Sequence, residues 1–405
     1  MKYIIGMDIG GSKCAVVLGR LDKGLKMLVR HEFPTQEGPK FTIDKLISTA
    51  KEQLSQHGLS WPDVSGIGIS CGGPLDSQGG RILSPPNLPN WEDVPICSIL
   101  QRKTGKSAFL QNDANACALV EWKLGAGRGC DDMIFLTMGT GMGAGIIAGG
   151  RLITGTCDMA GEIGHIRLQE CGPEGYGKAG SFEGFCSGGG IAIYGRMYAE
   201  SSIANGRRAP AWADAEITAK LLGDAANAGD ADAIATYEHV GKMLGRGISV
   251  LIDAFNPKLV VIGSIFSRVE HLLRPAMERE IKREALDISA RACRVVSAQT
   301  GEQIGDFASL LVAAEGLGLR IDTAVDEDNV MSHIRQLIQL HPGLSSAQAP
   351  IMSAFYAMRD STLKLRDTLD AIQDSSTTNA LPLHIPAYNT ICAMLEEHLF
   401  GGTKQ

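Results

Sequence analysis

Along the chain, short runs of consecutive apolar residues alternate with longer stretches whose apolar positions recur every three or four residues. Residues 2–7 (KYIIGM) form a run of the first kind. They enter Asp8-Ile9-Gly10-Gly11-Ser12, and 13–20 (KCAVVLGR) resume the apolar pattern, which predicts a strand, a tight turn and a returning strand. Residues 41–57 have helical spacing, and 64–70 (VSGIGIS) read as a buried strand running into Cys71-Gly72-Gly73-Pro74. Residues 112–124 (NDANACALVEWKL) are good helix formers behind an Asn-Asp start, so Asn112 or Asp113 sits at a helix mouth, where backbone N–H groups lack partners. Residues 133–138 lead as a strand into Gly139-Thr140-Gly141-Met142-Gly143-Ala144-Gly145, and 146–148 continue as the next strand. Two strand, glycine turn, strand units in one chain suggest two lobes of related build facing each other.

Further on, helical spacing predicts helices over 189–200, 213–228 and 232–255, then a strand over 259–262 ending at Gly263-Ser264. A helix over 267–286, a strand over 294–298 and a helix over 307–318 would close an α/β body. Residues 320–405 change character: they look helical, lack glycine turns and hold a polar stretch at 374–379, as expected of an appended C-terminal helical segment.

Composition narrows what such a body does. At 405 residues and 44% hydrophobic content, the chain exceeds one ordinary core, which favours two lobes around a cleft. The formal charge of -7 offers no basic surplus for a phosphate backbone, so nucleic acid is not an expected partner. The opening MKYIIGMDIGG reaches glycine too soon for a signal sequence, and no apolar run of about eighteen residues follows; a cytoplasmic protein without membrane contact is expected. The ten cysteines lie scattered in apolar or small-residue segments, as reduced core cysteines do. The 49 glycines cluster near 6–11, 66–80, 139–150 and 172–190, which reads as loops shaped around a ligand.

Moving a phosphoryl group requires donors for phosphate charge, a positioned hydroxyl and a base for its proton. Gly10-Gly11-Ser12-Lys13 and Gly139-Thr140-Gly141-Met142-Gly143 are either phosphate-holding turns or close strand turns. Neither is a P-loop, and Gly66-x-Gly68-x-x-Cys71 lacks the third glycine of a dinucleotide fingerprint. Asp8 is either a turn-capping carboxylate or a group near metal and phosphates. Asp113 is either a helix cap or a base, with Asn112 beside it to bond a sugar hydroxyl. Ala160-Gly161-Glu162-Ile163-Gly164-His165 places a carboxylate and an imidazole three residues apart, and Glu183 follows in another glycine-rich turn, a set suited to vicinal sugar hydroxyls.

In order, MDIGGSKCAVVLG, GIGISCGGPLDSQGGRILSPPNLPNWEDVP, QNDANACALVEWKLGAG, LTMGTGMGAGIIAGGRLITG, AGEIGHIRL and FNPKLVVIGS resemble the ROK family, spanning about residues 3–318. The resemblance implies two actin-like (ribonuclease H-like) lobes around a cleft. It implies a small lobe over 1–117 to which about 302–319 return, a large lobe over 118–301 and the extension over 320–405. It also implies ATP-dependent phosphorylation of a hexose or N-acetylhexosamine, at the 6-hydroxyl, with Mg2+. Asp113 would be the catalytic base. Gly72, Asn87, Asn112, Glu162, His165 and Glu183 would contact the sugar. Asp8, Gly10 to Lys13, Gly139 to Gly143 and Gly263 would serve the nucleotide. A homodimer is expected on the same ground. Many family members carry C-x-C-G-x-x-G-C after the Gly-His and bind structural zinc there. Here residues 174–183 read EGYGKAGSFE, only Cys171 and Cys186 lie nearby, and no zinc is expected. His165 is then free for the sugar, with Tyr176, Lys178 or the glycines ordering the loop. Two other readings remain: a ROK repressor, for which a chain opening on the first phosphate strand leaves no preceding DNA-binding domain, and a non-catalytic sugar sensor or scaffold using the C-terminal extension.

Overall fold

Strands β1 (Lys2–Ile9), β2 (Lys13–Leu21) and β3 (Leu25–Pro34) form an antiparallel meander followed by helix α1 (Gly38–Gln56). Strand β4 (Val64–Cys71) then pairs in parallel with β1. A small hairpin, β5 (Leu75–Asp76) and β6 (Arg81–Ile82), helix α2 (Ile96–Thr104) and strand β7 (Ala108–Asn112) complete a sheet of order β3-β2-β1-β4-β7. Helix α3 (Asp113–Lys123) leads to a second meander of β8 (Met133–Met138), β9 (Met142–Ala148) and β10 (Arg151–Ile153). Next come the hairpin β11 (Glu174–Gly175) and β12 (Lys178–Ala179) and helices α4 (Phe182–Cys186), α5 (Gly188–Ala204), α6 (Ala219–Asn227) and α7 (Ala231–Phe255). Strand β13 (Leu259–Ile262), helices α8 (Ile265–Glu284) and α9 (Asp287–Ala292) and strand β14 (Arg294–Ser297) give a sheet of order β10-β9-β8-β13-β14. The two sheets share one topology, with the antiparallel meander on one side and two parallel strands on the other. Helix α10 (Ile304–Gly316) ends the body by packing back on β1 and β4 of the first sheet.

These elements come from a computed structural model that describes residues 1–319 and 321, except Lys23, Gln36 and the side chain of Glu302. The helical extension expected over 320–405 otherwise lies outside the described residues.

The two-residue period of β1 explains why its apolar run is continuous. Ile5, Met7 and Ile9 join Ile43, Leu46, Ala50 and Leu54 of α1 on one face, while Ile4 packs with Leu310, Ala313 and Ala314 of α10 on the other. Asp8 shares parity with Ile4 and therefore faces α10. The sheets meet through α3 and α10. Ala116, Leu119 and Val120 of α3 lie with Ala308, Leu311 and Val312 of α10 and with Met133, Phe135 and Val261 of the second sheet. Gly145 permits this, because a Cβ there would lie 2.3 Å from the Ala118 Cβ and 2.7 Å from the Ala114 carbonyl oxygen. Helix α3 thus lies directly on β9.

Several elements differ from expectation. Strand β3 was not anticipated, since as an edge strand it is half-exposed and its LVRHEF stretch mixes polar and apolar residues without period. Helix α2 and strand β7 were also missed, both being short. The helix expected over 213–228 forms only as α6, because Thr218 takes the N-cap position and accepts the Leu221 N–H at 3.0 Å, restarting the chain there. Strand β9 begins at Met142 and β2 at Lys13, so the two turns are Gly139–Gly141 and Gly10–Ser12. Among the described residues, no helix is long and apolar enough to cross a membrane.

Candidate active site

Strand β7 passes into α3 without a loop, and Asn112 caps the helix, accepting the N–H of Ala114 at 2.9 Å and of Asn115 at 3.4 Å. Asp113 is therefore the first helical residue and is not needed as the cap. Its Oδ1 accepts the Ala114 N–H at 2.8 Å. Its Oδ2 faces Gly72, lying 3.9 Å from where a Cβ would stand, and both amide atoms of Asn87 lie 3.8 Å from that point. The absence of a side chain at Gly72 thus opens a space that Asp113 and Asn87 share. Asp113 stays open to solvent, yet the surrounding protein desolvates it and raises its pKa, a shift the Ala114 N–H opposes.

In the first sheet, Asp8 of β1 lies opposite Ser70 of β4, near enough to Asp113 to feel its charge. Burial pushes its pKa up to about 7; Ser70 opposes this by hydrogen bonding, and the charges of Asp113 and Asp306 add to it. The turn after β1 closes through the Gly10 N–H to the Lys13 carbonyl at 3.0 Å, and Thr35 Oγ1 donates to the Gly10 carbonyl at 2.6 Å. Gly11 lies against Asn87, whose carbonyl oxygen would be 2.6 Å from a Cβ at Gly11. The first glycine turn and the proposed sugar contact Asn87 are thus neighbours.

Beside the second sheet, the segment carrying Glu162 and His165 is fastened to β9 by the Ala144 N–H donating to the Gly161 carbonyl at 2.9 Å. Burial raises the Glu162 pKa, Asp113 and Glu183 raise it further, and His165 lowers it. Glu162 therefore lies near enough to Asp113 and Glu183 to feel both charges. Glu183, on α4, accepts the Met142 N–H at 2.9 Å and so secures the second glycine turn. That turn is closed by the Gly139 N–H to the Gly141 carbonyl at 3.0 Å, and the Gly139 carbonyl accepts the Gly188 N–H from the start of α5 at 2.8 Å.

The profile of the ROK family matches residues 4–314. The chain belongs to the ROK family. This ROK protein is 31% identical over 320 residues to a glucokinase of Thermotoga maritima, covering 78% of this chain and 98% of that one. It is 28% identical over 310 residues to the DNA-binding transcriptional dual regulator NagC of Escherichia coli, covering 76% of this chain and 74% of the regulator. Its fold is similar to that of a ROK family glucokinase from Streptomyces griseus solved with glucose and AMPPNP, with a TM-score of 0.62, 29% identity and coverage of 78% and 100%.

Lys13 and Gly263, both named for the nucleotide from the ROK resemblance, have contacts of their own. Lys13 opens β2 with its ammonium 2.9 Å from Glu32. Gly263 is buried, its N–H on the Leu136 carbonyl at 3.0 Å, and the residue beside Gly139 is instead Ser264, whose Oγ lies 3.6 Å from a Cβ placed at Gly139. Ser264 opens α8 at φ 61 without a side-chain cap, leaving first-turn N–H groups for a ligand. Helical spacing over 189–200 pointed to the neighbouring α5, but nothing marked Ser264 except its place after a buried strand. Asp306 on α10 and Arg30 on β3, paired at 2.6 Å, were missed as well; their charges act on Asp8 in opposite directions.

For zinc, the donors do not converge. Cys171 is exposed, and Cys186 is buried with its thiol donating to the Val240 carbonyl at 3.8 Å. Among the described residues, no three His, Cys, Asp or Glu side chains gather in a metal-holding group. This chain's residues do not fit a structural zinc at that loop.

Proposed function

We propose that this ROK protein is an ATP-dependent sugar kinase that phosphorylates the 6-hydroxyl of a hexose or N-acetylhexosamine, with Asp113 as general base. The observation that supports it most is the position of Asp113, freed from capping by Asn112 and open to the space it shares with Gly72 and Asn87. Its raised pKa makes it a better proton acceptor than an ordinary carboxylate. Asn112, Asn87, Glu162, His165 and Glu183 would hold the sugar hydroxyls, orienting the 6-hydroxyl toward Asp113. The turns at Gly10–Ser12 and Gly139–Gly141 and the start of α8 would receive the phosphates of ATP.

Asp8 supplies a hard oxygen donor beside the first turn, which fits Mg2+ carried by the nucleotide. When bound, that ion neutralises phosphate charge. Asp113 takes the hydroxyl proton, and closure of the lobes would exclude water from the transfer.

ADP release from Mg-ATP, measured against a panel of hexoses and N-acetylhexosamines, is expected to rise with one or a few sugars. The match to the regulator from Escherichia coli supports a second reading, a non-catalytic sugar sensor. Sugar binding without ADP release across the panel would decide for the sensor.

Asp8 also carries a pH prediction. Its folded pKa, about 7, lies above the ordinary 3.8, so the folded state holds the proton more tightly than the unfolded chain. Stability is therefore lost as pH rises from 3.8 through about 7. Asp8→Asn is expected to raise the melting temperature above pH 7, to change it little below 3.8, and to abolish turnover. Equal shifts in melting temperature at both ends would show that Asp8 is not desolvated.

A further inference from the structure

Residues 165–181 join His165 to the start of α4, which carries Glu183, so their order sets both candidate sugar contacts. Among the described residues no set of metal donors converges here, and four of the loop's backbone carbonyls accept from cationic side chains. Lys178 Nζ donates to the His165 carbonyl at 2.7 Å. Arg167 donates to the Ala179 carbonyl at 3.0 Å and to that of Glu170 at 3.5 Å, and Arg246, on α7, donates to the Leu168 carbonyl at 3.4 Å. Hydrogen bonds from charged donors are the strong ones, and Lys178 makes the shortest of the four.

The rest of the loop is built around these bonds. The Lys178 bond closes the chain from β12 back onto His165, and the hairpin tip, Tyr176 at φ 47 and Gly177 at φ 71, turns the Tyr176 ring toward the imidazole. The two rings meet edge to face, 6.2 Å between centroids at 80°. Gly180 donates to the Pro173 carbonyl at 3.0 Å, and its own carbonyl accepts the Leu168 N–H at 2.8 Å. Phe182 then donates to the Ile166 carbonyl at 2.8 Å as the chain enters α4.

We infer that Lys178, with Arg167 and Arg246, orders this loop in place of a metal ion, making Lys178 a positioning residue for His165. The kinetic arm of the test rests on the reading of His165 as a sugar contact; the structural arm does not. The full chain as purified would be assayed for bound zinc, for amide exchange over 165–181, and for sugar KM and kcat, with Lys178→Met and Lys178→Arg alongside. The expected result is zinc far below one per chain and no response to a chelator. Lys178→Met should speed exchange in the loop and raise sugar KM about tenfold, with a much smaller change in kcat, and Lys178→Arg should recover most of both. Faster exchange with an unmoved KM would uphold the ordering role and remove His165 from the sugar site. Stoichiometric zinc whose removal loosens the loop, or unchanged exchange in Lys178→Met, would overturn the inference.

Discussion

Asp113→Asn is expected to lower kcat by roughly 10²- to 10⁴-fold, the range a positioned general base contributes, while the sugar still binds within a few-fold of its normal affinity. The reason lies in what the change keeps. Asparagine has the same shape, and its carbonyl oxygen can still accept the Ala114 N–H that Asp113 Oδ1 accepts at 2.8 Å. Asn112, not Asp113, caps the helix, so α3 should hold its place on β9. What disappears is the proton acceptor. Turnover by ADP release and binding by calorimetry, run on the same preparation, separate the two effects, and a kcat within tenfold of the unchanged protein would remove Asp113 from the mechanism.

The largest expected loss of stability comes from Gly68→Ala. Gly68 lies in β4 beneath α10, where an added Cβ would stand 2.0 Å from the Ser309 carbonyl oxygen and 2.3 Å from the Ala313 nitrogen. Both are backbone atoms of a helix, and neither can swing aside as the end of a side chain can. The helix must lift from the sheet, opening contacts around Ile4, Val17 and Leu310, at an expected cost of about 3 kcal/mol or more. The urea midpoint should fall at unchanged slope, whereas Gly24→Ala, with nothing within 4 Å, should move it little. A midpoint for Gly68→Ala equal to that of Gly24→Ala would mean that α10 does not pack as closely as described. Because Asp306 rides on the first turn of α10 and its charge acts on Asp8, this variant should also weaken catalysis.

Much of the candidate site's framework was legible in the chain because the turns sit where buried strands end. A continuous apolar run that stops at small residues marks a strand covered on both faces and a turn at its tip, and this located Gly10–Ser12, Gly72 and Gly139–Gly141. The Asn-Asp start of α3 was equally local, since capping is a contact over two or three residues. The structure gives the cap to Asn112 and begins the helix at Asp113, a one-residue choice that residue type does not encode.

Periodicity and turn chemistry, read in windows of a few residues, determined the α/β class, the two related halves and the carboxylate at the helix mouth. Tertiary structure alone decided which edges and distant segments meet. Strand β3 is held by pairing with β2, not by its own pattern, and Ser264 reaches Gly139 only because β13 lies beside β8. Asp306 comes near enough to Asp8 for its charge to be felt, and Lys178 closes on the carbonyl of His165, thirteen residues away, only in the packed structure. Such contacts form once burial of apolar faces has brought the elements together, and the hydrophobic effect that does so is non-directional. It leaves the pairing of particular polar groups to the packed geometry.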